Sequence, residues 1–162
     1  MSHALDEAWF STLGAPLGDA EYAEISAYLE GLGLRADLPV HTASSWSEAG
    51  ALCRQPAGPW WRAEEEERAR LERGARLDPA DAAWLRVTER LHGAAAVAAA
   101  RSGCADAALI RVAAGAATVA AYHQRLAHAA GAPQAHPFLR KYALYCGGRW
   151  PLGVYGERFA IY

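Results

Sequence analysis

The sequence predicts a mainly α chain with a small C-terminal antiparallel β element, an α+β fold in which a compact helical bundle is built around a close-packed, alanine-rich helical hairpin. Three observations carry that expectation. Apolar residues recur at spacings of three and four over most of residues 1–132. Two long alanine-rich stretches flank a Ser102-Gly103 break. After His136-Pro137 the composition changes to RKYALYCGGRWPLGVYGERFAIY, rich in aromatics and punctuated by glycine. One domain, residues 1–162, is expected, with a helical part over 1–132 and a β-rich cover over 136–162. A chain of 162 residues, 52% of them hydrophobic, suffices for one substantial core.

The elements follow in order. Leu5, Trp9 and Leu13 predict a short amphipathic helix that stops at Gly14-Ala15-Pro16. Asp19 is read as the cap of a second helix that carries Tyr22, Ile25, Leu29 and Leu32 on one face and ends near Gly31 and Gly33. Residues 38–42 are extended in character, and Ser45-x-x-Glu48 is a capping box for a helix running to about Arg54. Gln55 to Pro59 form a rigid turn. From Trp60 to Arg76, Glu64, Glu66 and Glu72 each precede an arginine by four residues, the pattern of a solvated helix face. Asp78-Pro79 supplies an N-cap and a first-turn proline for the next helix.

That helix and its successor are the expected heart of the chain. Trp84, Val87, Leu91, Ala94 and Ala98 form one seam; Leu109, Val112, Ala116, Val119, His123 and Leu126 form the other. Alanine at the contact lets the axes approach closely. Pairing the helices about Gly103 sets Glu89 level with Thr118, His92 with Gly115, and His123 with Trp84. The second helix is apolar nearly all round from Val112 to Ala121, so neighbours are expected on every side of it. Beyond Pro133, strands are predicted over Lys141 to Cys146, Gly153 to Tyr155 and Arg158 to Tyr162, with Pro151 confined to an edge or a bulge. These strands are expected to lie on the helices or to pair with residues 38–42, because a lone hairpin is marginal in water. The closing run Phe159 to Tyr162 is expected to be buried, as a lid over the second hairpin helix.

Composition narrows the function. A net charge of −2, with arginines interleaved among glutamates, leaves no basic excess for phosphates, so no nucleic-acid partner is expected. Cys53, Cys104 and Cys146 are odd in number and lack C-x-x-C spacing, which argues against a disulfide framework or a zinc ribbon. No secretory signal is read in MSHALDEAWF, and Arg101, Asp106 and Arg111 interrupt the least polar run, so a cytoplasmic chain without a membrane partner is expected. The absence of asparagine, the single lysine (Lys141) and roughly a quarter alanine point to a GC-rich bacterial source.

His123 is the leading catalytic candidate, an acid/base on the apolar seam of the most buried helix. Glu89 and Tyr122 are assigned to assist it. Arg111, Thr118, His92, Arg149 and Trp150 are assigned to substrate binding, the arginines for an anionic group and Arg149-Trp150 as a planar cation beside an indole in a turn. Glu89 and His92 make one E-x-x-H step, but a di-iron site needs two, so neither a metal nor another cofactor is expected. His123 and His128 lie about 140° apart on the helix and point to different faces.

The preferred reading is a small bacterial enzyme of specialised metabolism. It would act by acid/base chemistry on a low-molecular-weight ligand in a pocket between the helices and the C-terminal strands, and it could work as a homodimer. The alternative is a non-catalytic binding protein, an immunity or accessory factor, with Trp46, Trp60 and Trp61 anchoring a protein interface.

Overall fold

Six helices and a three-stranded sheet form among residues 8–56, 58–75, 77 and 82–162, which the computed structural model describes. In chain order they are α1 (Asp19–Gly31), β1 (Val40–Thr42), α2 (Trp46–Cys53), α3 (Pro59–Glu72), α4 (Ala82–Arg101), α5 (Ala107–Ala129), α6 (Pro137–Cys146), β2 (Pro151–Tyr155) and β3 (Arg158–Ile161). The fold is mainly α with a small, largely C-terminal sheet.

Helices α4 and α5 form the alanine-rich hairpin around Ser102-Gly103, with Gly103 at φ 71° in the turn and Asp106 capping α5 through the backbone N–H groups of Ala108 and Leu109. Its packing reverses part of the expectation. Ala113, Ala114, Ala117, Ala120 and Ala121 are buried, whereas Val112 and Val119 are 48% and 47% exposed. Small side chains win the interior because they let the backbones come close, and the valines are left on a flank that no helix covers. Helix α5 therefore has neighbours in α4, α6 and α3, but one side stays open.

The segment expected to be a strand over Lys141 to Cys146 is helix α6. His136 caps it, its Nδ1 accepting from Phe138 N–H at 3.2 Å, and Pro137 occupies the first turn. The buried Phe138, Lys141, Leu144 and Tyr145 follow helical spacing, and this periodicity outweighs the β-propensity of the tyrosines. Helix α6, rather than the strands, covers the C-terminal half of α5. The β-rich part of the chain thus begins at Pro151.

The sheet has the order β1-β3-β2. Strand β1 runs parallel to β3, pairing Val40 with Phe159 and Thr42 with Ile161, so the extended 38–42 segment does join the C-terminal hairpin. Strand β2 is antiparallel to β3 and lies at an edge, with an irregularity between Pro151 and Gly153, as a proline that cannot donate requires. Side chains alternate across β3: Phe159 and Ile161 pack with Ile25, Tyr28, Leu29 and Leu144, while Ala160 and Tyr162 join Trp46, Trp150 and the α4–α5 core. The sheet is a layer buried between two sets of helices.

Two smaller expectations also change. Residues 1–7 lie outside the described part, and Trp9 to Gly14 run as turns rather than as the end of a helix, with Phe10 at φ 57°. Thr12 donates to Gly147 O at 2.9 Å and Gly148 sits so close that a Cβ there would meet Ser11 Oγ at 2.5 Å; this docking replaces helical bonding. The cap of α1 is Gly18, whose N–H donates to Glu21 at 2.7 Å, and Asp19 is the first helical residue. Ser45 caps α2 as expected, but the Glu48 carboxylate reaches Ser44 and His41 instead of closing the box on Ser45. Asp78, Pro79 and Arg76, assigned to a cap and an ion pair, fall outside the described residues.

Candidate functional site

A cleft of about 270 Å³ opens along the uncovered flank of α5, between α3, α6 and β2. Five aromatic residues wall it: Trp60 and Trp61 from α3, Tyr145 from α6, Trp150 just before β2, and Tyr155 from the end of β2. Its polar groups are Glu64, Glu65, His123 and Lys141, with the Cys53 thiol at one side. Exposed Trp61, Val112 and Val119 belong to the same lining.

Chain geometry explains why these side chains converge. Proline at the first turn of α3 starts a helix on which Trp60, Trp61 and Glu64 fall within one turn. Helix α6 then brings Lys141 and Tyr145, four residues apart, onto the side facing α3 and α5. Gly153 lets β2 approach: it has φ 130°, and a Cβ there would lie 2.7 Å from the Trp60 ring.

The centre of the cleft is a buried ion pair. Lys141 Nζ donates to Glu64 Oε1 at 2.6 Å and to Oε2 at 2.9 Å, and both residues are 5% exposed. Tyr28 Oη donates to Glu64 Oε1 at 2.5 Å and accepts from Trp60 Nε1 at 2.6 Å, so a four-residue chain orients the carboxylate. The ammonium also lies 5.2 Å from the Trp60 ring and 5.9 Å from that of Tyr28, which offsets part of its lost hydration.

His123 stands beside this pair, 3% exposed and stacked on Phe138 with ring centroids 4.1 Å apart. Burial, reinforced by the charge of Lys141, lowers its pKa to about 4 against the opposing pull of Glu64 and Glu65. The imidazole is neutral at physiological pH. Its Nδ1 is buried without a hydrogen-bond partner, and so is the Tyr145 hydroxyl. Burial first, then the nearby Glu64 charge, pushes the Tyr145 pKa well above 10, so this hydroxyl keeps its proton. Buried polar atoms are nearly always paired, so these two stand out among the residues that line the cleft.

Of the residues predicted from sequence, His123 and Trp150 meet in this cleft. The others do not. Glu89, His92 and Arg111 are exposed on the outer faces of α4 and α5, where the hairpin turns them away from the cleft. Tyr122 donates to Glu72 at 2.8 Å and packs on Trp84, at the level the hairpin register predicts, without lining the cavity. Thr118 returns its hydroxyl to Ala114 O at 2.9 Å. Arg149 has no donor left for a substrate: its five N–H bonds go to Glu21 and to the carbonyls of Thr12, Ala15 and Pro16. Its work is to hold residues 12–16 against the end of α6.

Glu64, Lys141 and Tyr145 are the residues that sequence reading passed over. Glu64 belongs to the face expected to be solvated, of which Glu66, Arg70 and Glu72 are exposed; the arginines pair differently from the expected spacing, Arg68 with Glu65 and Glu72 and Arg70 with Glu67. A signal existed in Glu64 lying on the same helical side as Trp60 and Trp61. The only lysine of the chain was a second one.

A larger cavity of about 460 Å³ lies between the start of α2 and the α4–α5 turn, with Cys104 on its wall. Several of its polar groups serve the fold, Ser45 and Asp106 as caps, Ser44 on Glu48 and Ser102 on the Trp46 indole. No cluster of three or more metal-ligating side chains occurs among the described residues, and no helix among them is long and apolar enough to cross a membrane. Comparison with family models, curated proteins and solved structures finds no match to this chain.

Proposed function

We propose that the chain is a small enzyme that performs acid/base chemistry on a low-molecular-weight molecule bound in the α3–α5–α6–β2 cleft. One observation carries the reading: His123 and Tyr145 line the same aromatic cavity, and each carries a buried polar atom, Nδ1 and Oη, without a hydrogen-bond partner in the protein. A neutral imidazole takes up a proton, and a hydroxyl that keeps its own donates to an oxygen gaining negative charge; together they suit proton transfer next to a carbonyl. His123 receives the proton from the substrate and returns it at a neighbouring atom, so the step is balanced without a co-reactant. The Glu64–Lys141 pair sets the field in which this occurs, and Tyr28 fixes the pair.

The test is solvent-deuterium wash-in. Small carbonyl compounds that shift the cleft resonances of the protein are incubated with it in D2O, and exchange at their acidic C–H positions is followed by NMR. Wild type is expected to catalyse exchange, and His123→Gln to lose it while still binding the compound. Binding without exchange in wild type would instead favour a non-catalytic binding protein.

A further inference from the structure

We infer that the cleft is built for an uncharged, flat, ring-bearing molecule carrying both a hydrogen-bonding group for Tyr145 and one for His123, and that it discriminates against organic anions and cations. This deepens the reading of the cleft as the working site and rests on it.

Each ionised group on the cavity wall already has its counter-charge within the protein. Glu64 holds Lys141 at 2.6 and 2.9 Å, and Glu65 holds Arg68 through both its oxygens at 2.9 to 3.3 Å. A carboxylate or ammonium entering the cleft would shed water and meet no free opposite charge, which is the costly case of a buried unpaired ion. The remaining ionisable groups are uncharged near neutrality: burial holds the His123 imidazole neutral and keeps the Tyr145, Tyr155 and Cys53 protons in place.

Shape and polarity then narrow the class. The walls are mostly aromatic faces, which favour a flat partner in stacked or edge-on contact. A cavity of about 150 Å³ already accepts a benzene ring, so the volume here of about 270 Å³ takes one substituted ring or a small fused pair. Pure hydrocarbon offers no hydrogen bond to His123 Nδ1 and Tyr145 Oη, neither of which has a partner within the protein. A neutral amide, phenol or ketone on a ring supplies what they lack.

Four probes of similar size separate the cases: benzamide, phenol, benzoate and benzylammonium, titrated at pH 7.5 while the His123 imidazole and the Trp60, Trp61 and Trp150 indole N–H signals are followed by NMR. The expected result is that benzamide and phenol bind about tenfold or more tightly than either ion. Tyr145→Phe should weaken benzamide by about two- to tenfold and leave toluene unchanged, which also shows that the variant is folded. Equal or tighter binding of benzoate or benzylammonium at these signals would overturn the inference while leaving the cleft as a binding site. If none of the probes, toluene included, moves the cleft signals, the inference and the proposed function fall together.

Discussion

Replacing His123 with glutamine tests the physical state of the cleft most directly. The folded chain holds this imidazole at a pKa of about 4, against 6.5 for an ordinary histidine, through burial and the adjacent Lys141 ammonium on α6; Glu64 and Glu65 on α3 oppose the shift and Arg68 adds to it. A base whose pKa is depressed in the folded state is protonated more readily when unfolded. Its contribution to stability is therefore complete above pH 6.5 and is lost as pH falls toward 4. The difference corresponds to about 3 kcal/mol at full titration. Urea denaturation of wild type and His123→Gln at several pH values between 4 and 7 gives two stability curves. The wild-type curve should fall more steeply with acid, so that the gap between them closes by about 3 kcal/mol. An NMR titration of the His123 ring supplies the folded pKa independently. Parallel curves over that range, or a ring that titrates near 6.5, would show that the imidazole is not held neutral and would remove the basis for its proposed chemistry.

Other consequences are equally specific. Lys141→Met strands the Glu64 carboxylate and should cost about 3–5 kcal/mol in chemical denaturation, whereas Glu64→Gln combined with Lys141→Met should cost clearly less than the two single changes summed. Gly153→Ala meets both an unfavourable φ of 130° and the Trp60 ring, so a loss of about 2–3 kcal/mol and a shift in tryptophan emission are expected. Deleting Gly156 to Tyr162 removes the central strand β3 and uncovers both helical layers; light scattering should show aggregation, and a monomeric, cooperatively folding truncation would contradict the buried-layer role of the sheet.

Much of the fold was legible because it rests on local signals. The alanine-rich hairpin follows from apolar periodicity and a Ser-Gly break, α2 from Ser45, and the edge position of β2 from Pro151. Helix α6 shows how near the balance lies: Tyr142, Tyr145 and a Gly-Gly pair suggest a hairpin, while His136-Pro137 and the 138-141-144-145 spacing specify a helix. Tertiary contact with α1 and α5 gave the helical face its partners. The helix matters to the cleft: a strand would also put residues 141 and 145 on one face, but about 13 Å apart along the chain, against about 6 Å on a helix.

The site divides in the same way. Sequence alone determined that His123 would be buried on the second hairpin helix, although Val112 and Val119 of its expected seam are exposed, and that Trp150 would sit in a restrained turn near the chain's last strands, because helical period and turn chemistry are short-range properties. It also fixed the balance of charges, with many arginines spaced for glutamates and one lysine left over. Only the tertiary structure decided which glutamate that lysine meets. Residues 64 and 141 are joined by no local pattern, and their pairing depends on α3 and α6 packing against the same flank of α5. The cleft exists for a related reason: alanines drew α4 and α5 together and left Val112 and Val119 uncovered, an outcome set by how closely backbones can approach rather than by the hydrophobicity of any one residue.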